Sequence, residues 1–258
     1  MPAPVVVAIG DSITLGVGDG VQDARGEVGW AAHTARALGA ATYLNLAANG
    51  TRVRDLDGAQ LASAVAVRPD VVLVTAGGND VLRGDFDPID VELRLRAAWE
   101  RLSRPGCLVV TVTIDRIGLF DLLPAAVGAV MARRVHALNG AIRGAAEATG
   151  TIVVDGALVF RHAGRSAWHI DRIHPSPLGH RAIAAGALER LAPWWAPVAP
   201  IEPPPVPPRA AERAWWLMRK GAPWAARRSR DLIPQVAQAV THEMLEERRA
   251  RLRGAARA

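Results

Sequence analysis

Val5-Val6-Val7-Ala8-Ile9-Gly10-Asp11-Ser12 decides how the chain is to be read. Five apolar residues follow one another without alternation, most of them β-branched, and the run stops at a glycine. A strand with one wet face would alternate. An unbroken run is the pattern of a strand covered on both faces, as in a parallel sheet. Similar runs recur at residues 42–46, 71–75, 108–113 and 151–154. Between them, residues 30–38, 53–67, 89–102 and 125–148 carry apolar positions at helical spacing. Strands alternating with helices predict an α/β fold, a three-layer α/β/α arrangement around a parallel five-stranded sheet, with a helical tail behind it. In such sheets chemistry collects beyond the carboxyl ends of the strands. The loops of interest therefore start after Ile9, Leu46, Thr75 and Thr113, with the segment leading to Asp171.

That segment, Asp171-Arg172-Ile173-His174-Pro175-Ser176-Pro177, holds a carboxylate and an imidazole three residues apart. Pro175 biases His174 away from helical angles. Ser176 and Pro177 read as an N-cap and a first helical position, so a helix is predicted to run through Ile183, Ala187 and Leu191. A general base and its orienting acid fit such a turn. After the first strand, Ser12 sits where a strand turns into a helix. The surrounding glycines fit neither the dinucleotide-binding nor the P-loop spacing. Gly50, in Asn45-Leu46-Ala47-Ala48-Asn49-Gly50-Thr51, offers an unobstructed N–H. Asn79, in Ala76-Gly77-Gly78-Asn79-Asp80, offers a side-chain amide. Each of these is, by itself, equally an ordinary turn residue. Together they supply nucleophile, base, orienter and donors for an oxyanion, which is the equipment of acyl transfer. Asp11 and Asp80 read as residues that hold their loops.

Four blocks, Gly10-Asp11-Ser12, Gly50, Gly77-Gly78-Asn79-Asp80 and Asp171-Arg172-Ile173-His174-Pro175, stand in the order and strand contexts of the GDSL or SGNH hydrolases, which residues 4–192 resemble. The resemblance implies a flavodoxin-like sheet. It also implies Ser12 as nucleophile, His174 as base, Asp171 as its partner, and an oxyanion hole of Ser12, Gly50 and Asn79. The departures are Thr51 and Arg52 after Gly50, where the family often has small residues, and isoleucine as the fourth residue of the first block. The implied activity is serine-dependent hydrolysis of a small-molecule carboxylic ester or thioester through an acyl-enzyme. Acyl transfer to an alcohol or sugar on the same residues is the alternative within the enzymes. A non-catalytic protein binding lipid or nucleic acid is the alternative outside them. The apolar loop of residues 117–124 makes Leu119 and Phe120 candidates for substrate binding, with anchoring of the next helix as the plainer reading.

Cys107 is the single cysteine, which excludes an intrachain disulfide and a cysteine metal cluster. His33, His136, His162, His169, His180 and His242 show no ligand spacing, and His180 is expected on a helix surface or in a capping role. No metal and no cofactor is expected. The first four residues carry no basic region and no long apolar run follows, so the expectation is a cytoplasmic chain without signal or span. Three parts are expected: a hydrolase domain at 1–196, a proline-rich linker at 197–208 and a basic, tryptophan-containing helical tail at 209–258. Residues 203–258 contain twelve basic and five acidic side chains, a charge of +7 against −1 for the rest. Trp215, Trp216 and Trp224 are interleaved with those charges, and a last helix from about Asp231 places Val236, Ala237 and Val240 on one face. The plainest reading docks the tail on the body through its tryptophans. The others are contact with an anionic membrane surface and, not expected, charge-driven binding of nucleic acid.

Overall fold

Five parallel strands, β1 (Val5–Gly10), β2 (Thr42–Asn45), β3 (Val71–Thr75), β4 (Leu108–Val112) and β5 (Ile152–Val154), pair in the order β2-β1-β3-β4-β5. The computed structural model describes residues 2–20, 28–115, 118, 120 and 124–207, then 209, 211, 212, 215, 218, 219, 234, 236–238, 240, 241, 243, 245 and 249. Helices α1 (Ser12–Leu15), α2 (Trp30–Ala37), α3 (Val53–Leu56), α4 (Ala59–Val67), α5 (Pro88–Leu102), α6 (Ala125–Thr149), α7 (Gly156–Ala163) and α8 (Pro177–Leu191) alternate with the strands. The order reverses between β1 and β3, and ligands of doubly wound sheets bind at such a switch point.

The unbroken apolar runs have the expected cause. Side chains alternate across a strand, and here both faces are covered. Val7, Ile9, Val72 and Val74 join Leu61, Leu95, Trp99 and Leu138 in one layer. Val6, Ala8, Val71 and Leu73 join Trp30, Phe160, Ile183 and Leu191 in the other. Helix α8 starts as the sequence predicts, with Pro177 in its first turn and the Ser176 hydroxyl accepting from the Gly179 N–H at 3.2 Å.

Several expectations need correction. The helix expected at 53–67 is two helices, because Gly58 takes non-helical angles and acts as the N-cap of α4. Strand β2 ends at Asn45, one residue early. The Asn45 side chain folds back there, accepting from the Ala47 N–H and donating to the Thr14 carbonyl, both at 3.1 Å. Helix α7 was not anticipated, although Asp155 caps it by accepting from the Leu158 N–H. His180 is not at the surface, and the helix whose end it caps is α2, not its own. It is 0 % exposed, its Nδ1 accepts from the Trp30 N–H at the start of α2, and its Nε2 donates to the Val17 carbonyl at 2.9 Å. Val17 in turn donates its N–H to the Ser12 carbonyl, so this histidine braces the loop behind Ser12. Burial brings the His180 imidazole down to about 4. Beside it, Asp19 takes His33, Arg181 and the Gly29 N–H; burial alone would raise its carboxyl, but these partners and His180 hold it at about 2.

The tail docks, though not through the tryptophan that can be seen. Trp215 is 57 % exposed, with Arg219 over its ring; Trp216 and Trp224 lie outside the described residues. Val236 and Val240 are buried in the layer of Val81 and Met131. Glu243 lies 2.6 Å from Nε of Arg134, an ion pair whose N–H direction falls short of a hydrogen bond. Arg134, on α6, is 6 % exposed and donates to the carbonyls of Val81 and Arg83. Among the described residues no helix is long and apolar enough to cross a membrane.

Removing Glu243 strands a buried guanidinium, so Glu243→Ala should lower stability by roughly 1–2 kcal/mol in urea titration, the carboxylate itself being partly exposed. His180 supplies a pH signature. Between its ordinary value near 6.5 and its folded value near 4 the unfolded chain holds the extra proton, so this group removes stability as pH falls through that window. Its slope reaches about 1.4 kcal/mol per pH unit. His180→Gln should flatten the dependence over pH 4–6.5, measured as the difference in unfolding midpoint between the two proteins.

Candidate active site

Three strand ends build the site, beginning where β1 stops. Gly10 has φ +121°, and a Cβ there would lie 2.1 Å from the Thr75 carbonyl oxygen, so only glycine lets β1 leave the sheet this close to β3. The Asp11 N–H is then donated to that same carbonyl. Asp11 caps α1 by accepting from the Ile13 N–H at 3.0 Å and also accepts from the Thr75 hydroxyl at 2.9 Å. Thr14 Oγ1 accepts the Thr75 N–H, and because the Thr75 hydroxyl proton goes to Asp11 the Thr14 hydroxyl is the donor to Thr75 Oγ1, 2.6 Å away. Burial raises the Asp11 carboxyl to about 6, against the pull of Thr75, Ile13 and, through space, His174. The loop-holding role read for Asp11 is the one its contacts describe, and Ser12 is fixed directly after it.

Ser12, His174 and Asp171 form a continuous relay. Ser12 Oγ lies 2.9 Å from His174 Nε2, and His174 Nδ1 lies 2.8 Å from Asp171 Oδ2. The other carboxylate oxygen, Oδ1, accepts the N–H groups of Ile173 and His174 at 2.9 and 3.0 Å. One oxygen of Asp171 thus shapes the turn and the other orients the imidazole. The base of that turn is closed by the pairing of Trp168 with Pro175 and by the Ser176 N–H on the Ala167 carbonyl. Arg172 sits in the left-handed region at φ 57° within it, an uncommon conformation for a residue with a Cβ. Nδ1 of His169 also stands 3.2 Å from Asp171 Oδ2. Burial alone would raise the Asp171 carboxyl, but His169 and His174 outweigh it and hold it well below the usual carboxylate range. The acid therefore stays ionised beside the imidazole.

The two other loops meet at Thr51. Gly50 takes φ +84°, and its neighbour Thr51 donates its hydroxyl to the Ala48 carbonyl at 2.8 Å. Asn79 donates one amide hydrogen to the Thr51 carbonyl at 3.0 Å, leaving the second to point elsewhere. Asp80 accepts from the Val53 N–H at 3.0 Å and pairs with Arg52 Nε at 3.3 Å, while Arg52 grips Asp85 through both terminal nitrogens. Arg52, which the sequence offers only as a departure after Gly50, is thus a brace between the Gly50 and Asn79 loops. Its position directly after that loop, with acidic residues at 80 and 85, was the available signal.

Of the two substrate-binding candidates, Leu119 lies outside the described residues. Phe120 is 6 % exposed and belongs to the apolar layer that includes Ile114, Val130 and Met131. Among the described residues no group of three or more His, Cys, Asp and Glu side chains is arranged to hold a metal ion.

A hydroxyl beside an imidazole that itself faces an ionised carboxylate is an arrangement chemically suited to acyl transfer. Comparison with known proteins points the same way. Among solved structures, an acetylxylan esterase from Geobacillus stearothermophilus, Axe2, superposes with a TM-score of 0.59 at 24 % identity, over 76 % of this chain and 97 % of that one. LAE5, an alpha/beta hydrolase enzyme from the metagenome of Lake Arreo, Spain, superposes with a TM-score of 0.58 at 25 % identity, over 74 % of this chain and 96 % of that one. No curated protein sequence matches. The family described as GDSL-like lipase/acylhydrolase matches residues 8–182, about two thirds of the chain, and that stretch contains every residue of the relay. The chain therefore belongs to the GDSL-like lipase/acylhydrolase family and is a carboxylic ester hydrolase.

Proposed function

We propose that the chain hydrolyses carboxylic esters or thioesters through an acyl-enzyme on Ser12, with His174 as base and Asp171 as its orienting acid. The observation that carries this reading is the unbroken contact from Ser12 Oγ through both ring nitrogens of His174 to Asp171 Oδ2. Catalytic mutants of Axe2 likewise replace a serine, an aspartate and a histidine.

As Ser12 Oγ adds to the acyl carbon, its proton passes to His174 Nε2. The carbonyl π pair moves onto the oxygen, and the imidazolium is steadied by Asp171. The N–H groups of Ser12 and Gly50 and the remaining Asn79 amide hydrogen receive the oxyanion. Collapse expels the alcohol or thiol, which takes the proton from His174. A water then loses its proton to the same nitrogen as it attacks the acyl-enzyme, and Ser12 leaves reprotonated. Asp171 never needs to accept a proton, in keeping with its depressed carboxyl.

Ser12→Ala should reduce hydrolysis of p-nitrophenyl esters by about 10⁴-fold or more. Full activity in that variant would end this reading. Asp171→Asn keeps an acceptor for the Ile173 and His174 N–H groups but presents the wrong partner to the imidazole, and should lose about 10⁴ in kcat with the protein still folded. Asn79→Ala should cost about 10²–10³ in kcat. Running the wild type over acetyl to palmitoyl esters measures which acyl chain the site prefers.

A further inference from the structure

Gly10, the last residue of β1, presents a problem of backbone satisfaction. Strand β1 pairs with β2 only as far as Ala8 opposite Asn45, after which the chain of β2 turns away. The Gly10 carbonyl still receives the Ala48 N–H at 3.0 Å. Its own N–H faces the same side and meets no strand residue there. The partner is a side chain: Gln60, in the first turn of α4, accepts the Gly10 N–H on Oε1 at 2.7 Å. The same amide donates from Nε2 to the Gly10 carbonyl at 3.2 Å and to Thr51 Oγ1 at 3.1 Å. Its planar amide thus takes the place of a strand peptide opposite Gly10 and, in the same gesture, grips the loop after β2.

The consequence reaches the reaction through geometry alone. Gly10 stands two residues before Ser12, and Thr51 follows Gly50. The Thr51 carbonyl also takes the Asn79 amide at 3.0 Å. One uncharged side chain therefore ties the segment that carries Ser12 to the one that carries Gly50, and Thr51 in turn holds Asn79, while the bonds of Gln60 itself go to Gly10 and Thr51 and not to Ser12, His174 or Asp171. Donors of this kind must meet the oxyanion at about 2.7–3.1 Å, and a misplacement of about 1 Å costs up to about 10²-fold in rate. We infer that Gln60 is a positioning residue: it sets the separation between the Ser12 and Gly50 N–H groups and so the fit of the site to the oxyanion. The inference rests on the reading of Ser12, Gly50 and Asn79 proposed above. Leucine at 60 would fill the space and make none of the three bonds. Glutamate would keep the acceptor for Gly10 and lose both donations.

The test compares wild type, Gln60→Leu, Gln60→Glu and Ser12→Ala on p-nitrophenyl acetate, with thermal unfolding of each and inhibition by an alkyl trifluoromethyl ketone, whose serine adduct carries a tetrahedral oxyanion. Gln60→Leu should lower kcat by about 10- to 100-fold, leave KM within about threefold, and raise the ketone Ki by the same factor as kcat falls. Gln60→Glu should fall between it and the wild type, and serves alone if the leucine variant does not fold. A purely structural glutamine would lower the unfolding temperature while kcat and ketone Ki stayed at wild-type values. That result in either folded variant overturns the inference while Ser12→Ala remains dead. Activity surviving in Ser12→Ala would remove the underlying reading, and this one with it.

Discussion

The contact between Gly10 and the Thr75 carbonyl is the constraint on which the rest of the site depends. A Cβ at Gly10 would sit 2.1 Å from that oxygen, and no rotamer change could relieve it because both parties are backbone. The chain can therefore leave β1 this close to the end of β3 only because residue 10 is bare. From this one close approach follow the Asp11 N–H on Thr75, the cap on α1, and the emergence of Ser12 at the seam where strand order reverses. The threonines at 14 and 75 and the carboxyl of Asp11 then fill the seam with a chain of hydrogen bonds, so a polar pocket is buried without orphaned groups.

The same economy governs the charged groups. Asp171 uses one oxygen to hold two backbone N–H groups and the other to hold an imidazole. The turn needs only an acceptor, whereas the imidazole is steadied by the charge, which a carboxylate supplies and an amide does not. Asp80 and Asp11 differ from it: burial raises both, and their partners only partly offset that. These aspartates work as acceptors in loops, whereas Asp171 is an anion kept charged beside an imidazole. Asp11 and Asp80 are buried and Asp171 half-buried, and the distinction between the three is made largely by their neighbours.

Much of this was legible in the residues. Both-face burial makes central parallel strands read as unbroken apolar runs, so the sheet and most helices could be placed to within a residue or two. Asp171, His174 and Ser12 were legible because each stands beside a backbone signal: a glycine ending a strand, or a proline and an N-cap opening a helix. What could not be read were partnerships across the chain. His180 looks like any polar residue on a helix until α2 is packed against it. Gln60 has the composition of an exposed first turn, and its value lies in Gly10, fifty positions away. The split of the 53–67 helix hung on angles that Gly58 permits but does not demand. In the tail, tryptophan content drew attention from Val236 and Val240, whose burial depends on a surface built elsewhere.

The distance in sequence between Ser12 and His174, 162 residues, has a consequence for the protein while it is being made. The serine follows the first strand of the sheet, whereas the histidine comes after the last, which ends at Val154. At about 5–20 residues per second, the hydroxyl waits roughly 8–30 seconds for its partner. Throughout that interval the nascent chain carries the serine without the imidazole that stands beside it in the folded protein. The contact between the two can form only after all five strands have been made.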